Sequence, residues 1–448
     1  MKHHARALAA LATTLLPGLA AATDGYFAHG YGMKSLGMGG AGIARTDDAF
    51  GGANNPAQFA FVPDQLDLGL TLFKPTRSAT RSGAALPGLN GTADGGSSVF
   101  ELPEAGYVHR VDHDWALGVT VYGNGGMNTD YGLAGGVNCS TQSPPPSPAP
   151  PSNLLCGSTG LGIDMAQLIV APTVGWKVDE RQSLGVSLLV VEQRFKATGL
   201  QMLANFQLPT PAGTIAYSSD PSAVTDKGYS YSSGVGARLG YLGRLAPDLT
   251  LGLSYSPKVS MGKLSKYRGL FAQQGGFDIP VNYGLGLQYR ASERLTVALD
   301  VTRILYAGIA SVGNPGSNAG QLGSDNGPGF GWRDVTAVKL GVEGEVMPGT
   351  VLRAGINHGT NPITPRDVTF NILAPGVVQE HFTLGGTHAL GNGSSIGFAF
   401  AFMPGKSVSG PSALNGLFQA TGAPAGTGGN ETIRLSEKQL GVSWETRL

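Results

Sequence analysis

The sequence predicts an all-β fold, a 14-stranded antiparallel transmembrane β-barrel plugged by an N-terminal hatch. Three observations lead there. From Gln65 onward, apolar residues alternate with small or polar ones in runs mostly nine residues or longer, whereas strands of soluble proteins usually run about five or six. The links between runs alternate between tight turns and long loops. The stretch before the first run is rich in glycine and aromatic residues and has no strand period.

Residues 1–22 read as a signal peptide. Lys2 and Arg6 give a basic start, Ala7 to Ala22 are apolar or small, and Ala20-Ala21-Ala22 offers an A-x-A cleavage site. The mature chain is expected to begin near Thr23 and to be exported. No other segment reaches 18 consecutive apolar residues, which excludes a helical membrane protein. Thirty basic and 30 acidic residues leave no net charge, and no basic face for nucleic acid is visible. Charged residues are 13% of the chain, against about 25% in ordinary soluble domains. Low charge with 70 glycines suits a sheet that presents one face to lipid.

The alternation is regular. Leu66, Leu68, Leu70 and Leu72 enclose Asp67, Gly69 and Thr71, and Trp115, Leu117, Val119 and Val121 enclose Ala116, Gly118 and Thr120. Later, Tyr283, Leu285 and Leu287 enclose Gly284 and Gly286, and Ile396, Phe398, Phe400 and Phe402 enclose Gly397, Ala399 and Ala401. Fourteen strands are predicted, near 66–74, 103–111, 115–123, 166–177, 182–194, 231–245, 249–261, 277–290, 294–305, 332–346, 350–357, 379–390, 394–403 and 435–447. Ten residues at about 3.3 Å each, tilted by roughly 40°, span about 25 Å, the height of an outer-membrane apolar band.

Tight links centre on Asp112-His113-Asp114, Asp179-Glu180-Arg181, Ala246-Pro247-Asp248, Ala291-Ser292-Glu293, Met347-Pro348-Gly349 and Gly391-Asn392-Gly393, several of them rich in turn formers. Long links such as 124–165, 196–230 and 306–331 belong to the opposite rim. Short periplasmic turns with long external loops are the habit of a barrel in the outer membrane of a Gram-negative cell; a soluble sandwich has no reason for it. Outer-membrane lipid is then the solvent of the outer face.

Cys139 and Cys156 flank a proline-rich segment, and in an exported chain they predict a disulfide. Without neighbouring histidines they make a poor metal site. Residues 23–65 form the hatch and 66–448 the barrel. In the hatch, Phe27, Phe50, Phe59 and Phe61 can bury area and are candidate ligand contacts. Gly37-x-Gly39-x-x-Gly42 matches a dinucleotide fingerprint only by letter, since no strand precedes it. No catalytic, metal or cofactor motif emerges, so an enzyme is not expected. Inward charges such as Arg238, Lys339, Glu343 and Arg353 leave two readings open: the constriction of a general porin for small polar solutes, or partners that hold the hatch.

Gly37-Met38-Gly39-Gly40-Ala41-Gly42-Ile43-Ala44, then Asp47-Asp48-Ala49 and Asn55-Pro56-Ala57, resemble the hatch of the outer-membrane transporters for long-chain fatty acids and aromatic hydrocarbons. Trp332-Arg333-Asp334-Val335, Lys339-Leu340-Gly341-Val342 and Leu352-Arg353-Ala354-Gly355 resemble them too. The resemblance implies a monomeric barrel with diffusive uptake of hydrophobic compounds and lateral exit through a gap made by a kinked third strand. It directs attention to Gly123, Gly125 and Gly126 for the kink and to Asn55, Pro56 and Ala57 for gating. It also implies capture between the third and fourth outer loops, where Met202, Leu203, Phe206, Leu208, Leu270 and Phe271 form an apolar set.

Overall fold

The computed structural model describes residues 24–96, 99–134, 137–139, 151–420 and 422–448. The expected signal peptide and most of the proline-rich segment lie outside them. Fourteen long strands form one antiparallel sheet in chain order: β1 Gln65–Ser82, β2 Phe100–Arg110, β3 Trp115–Tyr131, β4 Leu161–Lys177, β5 Gln182–Thr198, β6 Ser230–Ala246, β7 Leu249–Ser256, β8 Asn282–Ser292, β9 Leu295–Ile304, β10 Val335–Met347, β11 Thr350–Gly359, β12 Glu380–Ala389, β13 Ser394–Pro411 and β14 Asn430–Arg447. The last strand pairs with the first from Gln65↔Arg447 to Ser82↔Asn430. That ladder closes the barrel by joining its first and last strands.

Alternation along each strand separates two environments. Leu68, Leu70 and Leu72 of β1, Phe398, Phe400 and Phe402 of β13, and Leu440, Val442 and Trp444 of β14 all point outward and are exposed. Their neighbours Asp67, Thr71, Gln439 and Arg77 point inward and are buried. A greasy exterior around a polar interior is stable only with lipid outside. Trp115 and Trp176, paired across β3 and β4, stack with ring centroids 5.6 Å apart at the short-turn rim, as aromatic girdles do at a membrane interface.

The tight turns are built from their own side chains. Asp112 Oδ1 accepts from the amides of Asp114 and Trp115, and Asp179 Oδ1 accepts from those of Arg181 and Gln182. These backbone hydrogen bonds hold both carboxyls below the usual range.

All fourteen expected strands are present, with different outer ends. β1 runs on to Ser82, β3 to Tyr131 and β13 to Pro411, while β14 begins at Asn430. Above the apolar band the outward residues turn polar (Lys74, Thr76), so the hydrophobic period disappears while the backbone ladder continues. The seventh and eighth strands are shorter than expected. Pro257 and Pro280 lack the N–H a ladder needs, and only isolated bridges such as Val259↔Ile279 continue beyond them.

Candidate functional site

Residues 24–64 occupy the lumen with little regular structure beyond a helical turn at Met33–Leu36 and a 3-10 turn at Pro56–Ala60. They are held by barrel side chains that offer partners to otherwise orphaned backbone groups. Asp300 accepts from the amides of Gly42 and Ile43, Asp67 from that of Ala49, and Thr383 from that of Gly39. Lys339 donates to the His29 carbonyl and pairs with Asp24 at 3.3 Å. Arg238 donates to the Ala53 carbonyl. Arg45 pairs with Asp47 at 2.8 Å and with Glu343 at 3.1 Å, and Glu343 also takes Arg353 at 2.9 Å. The inward charges therefore grip the hatch. Burial and the neighbouring Asp47 push the Asp48 carboxyl up to about 6, and burial pulls the His29 imidazole down to about 3.

Asn55, Pro56 and Ala57 sit deep against β5 and β6. The Asn55 side-chain amide donates to the carbonyls of Ile43 and Tyr241, 2.9 Å each, and its oxygen accepts from the Ala57 amide. Ser183 donates to the Ala57 carbonyl at 2.8 Å. Gly185 is required opposite them: a Cβ there would lie 2.2 Å from the Pro56 carbonyl carbon. These residues form a well-fastened foot.

The wall is interrupted at β3. Its register shifts between Gly123 and Gly125 against β4, a bulge of the kind that bends a strand. β2 and β3 pair only from Ala105↔Val121 to His109↔Leu117 and Arg110↔Ala116. Above that ladder β2 pairs with β1 and β3 with β4, leaving a window between Phe100–Glu104 and the Tyr122–Thr129 stretch. Gly95 and Gly96 bridge to Tyr131 and Asp130 and close its top. On the inside, the start of the hatch docks on the bulge: the Ala28 amide donates to the Asn124 carbonyl at 3.1 Å, and the Gly126 amide to the Tyr26 carbonyl at 3.0 Å.

Three separate spaces lie between the outer loops and this window. A cavity of about 420 Å³ lies among the loops, lined by Met202, Leu203, Leu208, Tyr217, Phe370 and Leu417 among others. Behind it, a gap of about 20 Å³ is bounded by Phe195, Leu270, Phe271, Phe330, Phe370 and Leu373. The third, about 30 Å³ beside the window, is lined by Phe73, Phe100, Met127, Trp332 and Ala374, with Arg77 and Glu437. Phe370 lines the first two, and Phe330 and Leu373 of the second are neighbours of Trp332 and Ala374 of the third. Both inner spaces are smaller than any hydrocarbon ligand.

The expected contacts divide accordingly. Met202, Leu203 and Leu208 line the outer cavity, and Leu270 and Phe271 line the gap behind it. Phe206 packs edge-on to Tyr217 at 6.3 Å. Phe27 lies in an aromatic cluster with Tyr26 and Tyr306. Phe50 packs over Gly32 within the hatch. Phe59 and Phe61 are elsewhere: Phe59 packs with Val62, Val108 and Ala116, and Phe61 lies under Arg244, 4.9 Å from its ring. Both rings pack at the short-turn rim. Cys139 and Cys156 are joined by a disulfide. The outer cavity also differs from a groove confined to the third and fourth loops, since it draws on 316–320, 366–370 and 411–417.

Sequence reasoning missed the segment 368–378, which folds inward as a lid. Asn371 accepts from the Trp332 indole at 2.6 Å and donates to the Phe330 carbonyl at 2.7 Å, and Thr129 of β3 donates to the Leu373 carbonyl at 2.9 Å. The available signal was the apolar run Ile372-Leu373-Ala374-Pro375-Gly376-Val377-Val378 in an external loop, where exposure would be unfavourable.

A closed barrel with its lumen filled by its own N-terminal segment and an apolar cavity at its outer mouth defines a plugged outer-membrane channel. The family described as Outer membrane protein transport protein (OMPP1/FadL/TodX) matches residues 150–416, more than half of the chain, and the chain belongs to it. Similar solved structures include the P. putida toluene transporter TodX, 17% identical with a TM-score of 0.64 over 94% of this chain and 99% of that one. A Pseudomonas aeruginosa FadL homologue is 15% identical with a TM-score of 0.65, again over 94% and 99%. The Ralstonia pickettii toluene transporter TbuX is 16% identical with a TM-score of 0.57 over 94% and 99%. At these identities the likeness concerns the fold. No curated protein matches the sequence.

Proposed function

We propose that the protein is a monomeric channel of the Gram-negative outer membrane that takes up hydrophobic compounds, long-chain fatty acids or aromatic hydrocarbons, by diffusion and releases them sideways through the β2–β3 window. The observation that carries this reading is the chain of apolar spaces from the outer loops to the interrupted wall. An apolar solute gains by leaving water for the outer cavity, roughly 25 cal/mol for each Å² it buries. It then moves inward past Phe370 as the lid yields, and leaves toward lipid once Tyr26–Ala28 lift from β3. No step needs an energy source while the gradient runs inward. Asn55, Pro56 and Ala57 act as the fixed foot about which the hatch's first residues move, and the gate lies at the window. The toluene transporters among the similar structures support an aromatic ligand.

Uptake of labelled toluene, a labelled long-chain fatty acid and a labelled sugar by cells with and without the protein tests the proposal. Faster entry of an apolar compound with unchanged sugar entry is expected. Faster sugar entry alone would make the protein a general porin for polar solutes.

A further inference from the structure

We infer that Arg77 and Glu437 form a polar subsite behind the window that selects apolar molecules carrying one O–H group over bare hydrocarbons. The inference rests on the proposed passage through this window. Arg77 lies on β1 and Glu437 on β14, and the register Pro75↔Glu437, Arg77↔Leu435 makes them diagonal neighbours on the lumen face. Both reach the cavity beside the window, and both are almost fully buried, at 3% and 2% exposure.

Their hydrogen bonding is incomplete in complementary ways. One terminal nitrogen of Arg77 donates to the carbonyl and the side-chain oxygen of Asn128, and the other donates to the Gly96 carbonyl at 3.3 Å. The guanidinium is thereby fixed, while its Nε finds no acceptor among the described residues. Glu437 Oε2 likewise finds no donor among them. Arg77 and Glu437, each with one unpartnered side-chain atom, thus both line a cavity otherwise walled by Phe73, Phe100, Met127, Trp332 and Leu435. Buried polar atoms without partners are costly, and one group can answer both. A hydroxyl accepts through its oxygen and donates through its hydrogen. A bare hydrocarbon answers neither and displaces any water that did. An ionised carboxylate could accept from Arg77, but it has no proton for Glu437 and loses its hydration on entering an apolar cavity. Alcohols, phenols and protonated carboxylic acids share the fitting chemistry.

Toluene and p-cresol differ by one hydroxyl, and simple partition into an apolar pocket favours toluene, so preference for the cresol isolates the subsite. The test measures protein-dependent initial uptake of each by cells, and equilibrium binding of each to the purified full-length chain in lipid nanodiscs. Wild type is expected to bind p-cresol about tenfold more tightly, the factor one or two net hydrogen bonds supply. E437L should bring that ratio to about one by weakening cresol binding. Equal wild-type affinities, or a variant that weakens both ligands alike, would overturn the subsite. The wild-type ratio decides the matter even if the variant folds poorly. Octanoic acid at pH 4 should join the alcohols and weaken at pH 7; tighter binding of the ionised acid would refute a neutral head group. If toluene and cresol both enter no faster than in cells lacking the protein, the channel reading itself fails and the subsite falls with it.

Discussion

Gly125→Ala probes the window from its hinge. A Cβ at this position would lie 1.8 Å from the Tyr26 carbonyl oxygen and 3.0 Å from the Phe27 Cα. That is about 1.5 Å inside the ordinary carbon–oxygen separation of roughly 3.3 Å. β3 cannot retreat easily, because Gly125 and Gly126 are in register with Gln167 and Ala166 of β4. The hatch segment must lift instead, which takes the Ala28–Asn124 and Gly126–Tyr26 hydrogen bonds, now 3.1 and 3.0 Å, beyond hydrogen-bonding range. Two net hydrogen bonds amount to about 2 kcal/mol, or roughly 30-fold in the population of undocked molecules. Barrel stability should change little, since the ladder itself is untouched. Hydrogen exchange at the amides of Ala28 and Gly126 should accelerate, and uptake of a labelled apolar ligand should rise. Undocking without any rise in uptake, or a fall in uptake, would refute the assignment of Tyr26–Ala28 as the gate.

Other parts of the path make separate demands. Arg81 and Glu431 form a salt bridge 2.6 Å long with both side chains fully buried, and Glu431 also binds Thr369 of the lid and Ser412. Glu431→Gln leaves a buried cation uncompensated and should cost about 3–5 kcal/mol, seen as a lower temperature of the heat-induced gel shift and faster proteolysis of the outer loops. Asn55→Ala removes the donor to Ile43 and Tyr241 and should cost about 1–3 kcal/mol of hatch anchoring. It should raise ion leak across planar bilayers; faster uptake of apolar ligand without leak would put the gate at the foot after all. Leu203→Asp with Leu417→Asp places charge in the outer cavity and should lower ligand capture about tenfold in a binding assay while the heat-induced gel shift stays normal. Replacing both cysteines by serine opens a link across a separation of 17 residues, worth about 3 kcal/mol in chain entropy, and should make the 132–160 loop protease-sensitive.

The barrel was legible because lipid and lumen impose opposite chemistry on successive residues. Leu68-Gly69-Leu70-Thr71-Leu72 can satisfy both faces only as a strand between them. Turn chemistry was equally open: Asp112 and Asp179 stand at the positions whose side chains cap the following amides. The window was half legible. Glycines 123, 125 and 126 signalled irregularity, but the departure of β2 from β3 depends on which strand each half pairs with, and one sequence does not encode that locally. The lid and the Arg77–Glu437 pair were hidden for the same reason: Arg77 lies 360 positions from Glu437 in the numbering, and only closure of β1 on β14 brings them together. The packing place of Phe59 was not legible, because large buried aromatics serve packing and ligand contact alike.

Locking the gate tests the central claim most directly. Ala28→Cys with Asn124→Cys places two cysteines on adjacent hydrogen-bonded backbones, in a background where Cys139 and Cys156 are serine, so that oxidation ties the hatch across the window. Uptake of a labelled apolar ligand should fall to the level of cells lacking the protein when oxidised and return on reduction. Equal uptake in both states, with the cross-link verified by mass spectrometry, would mean that the ligand does not leave through the β2–β3 window.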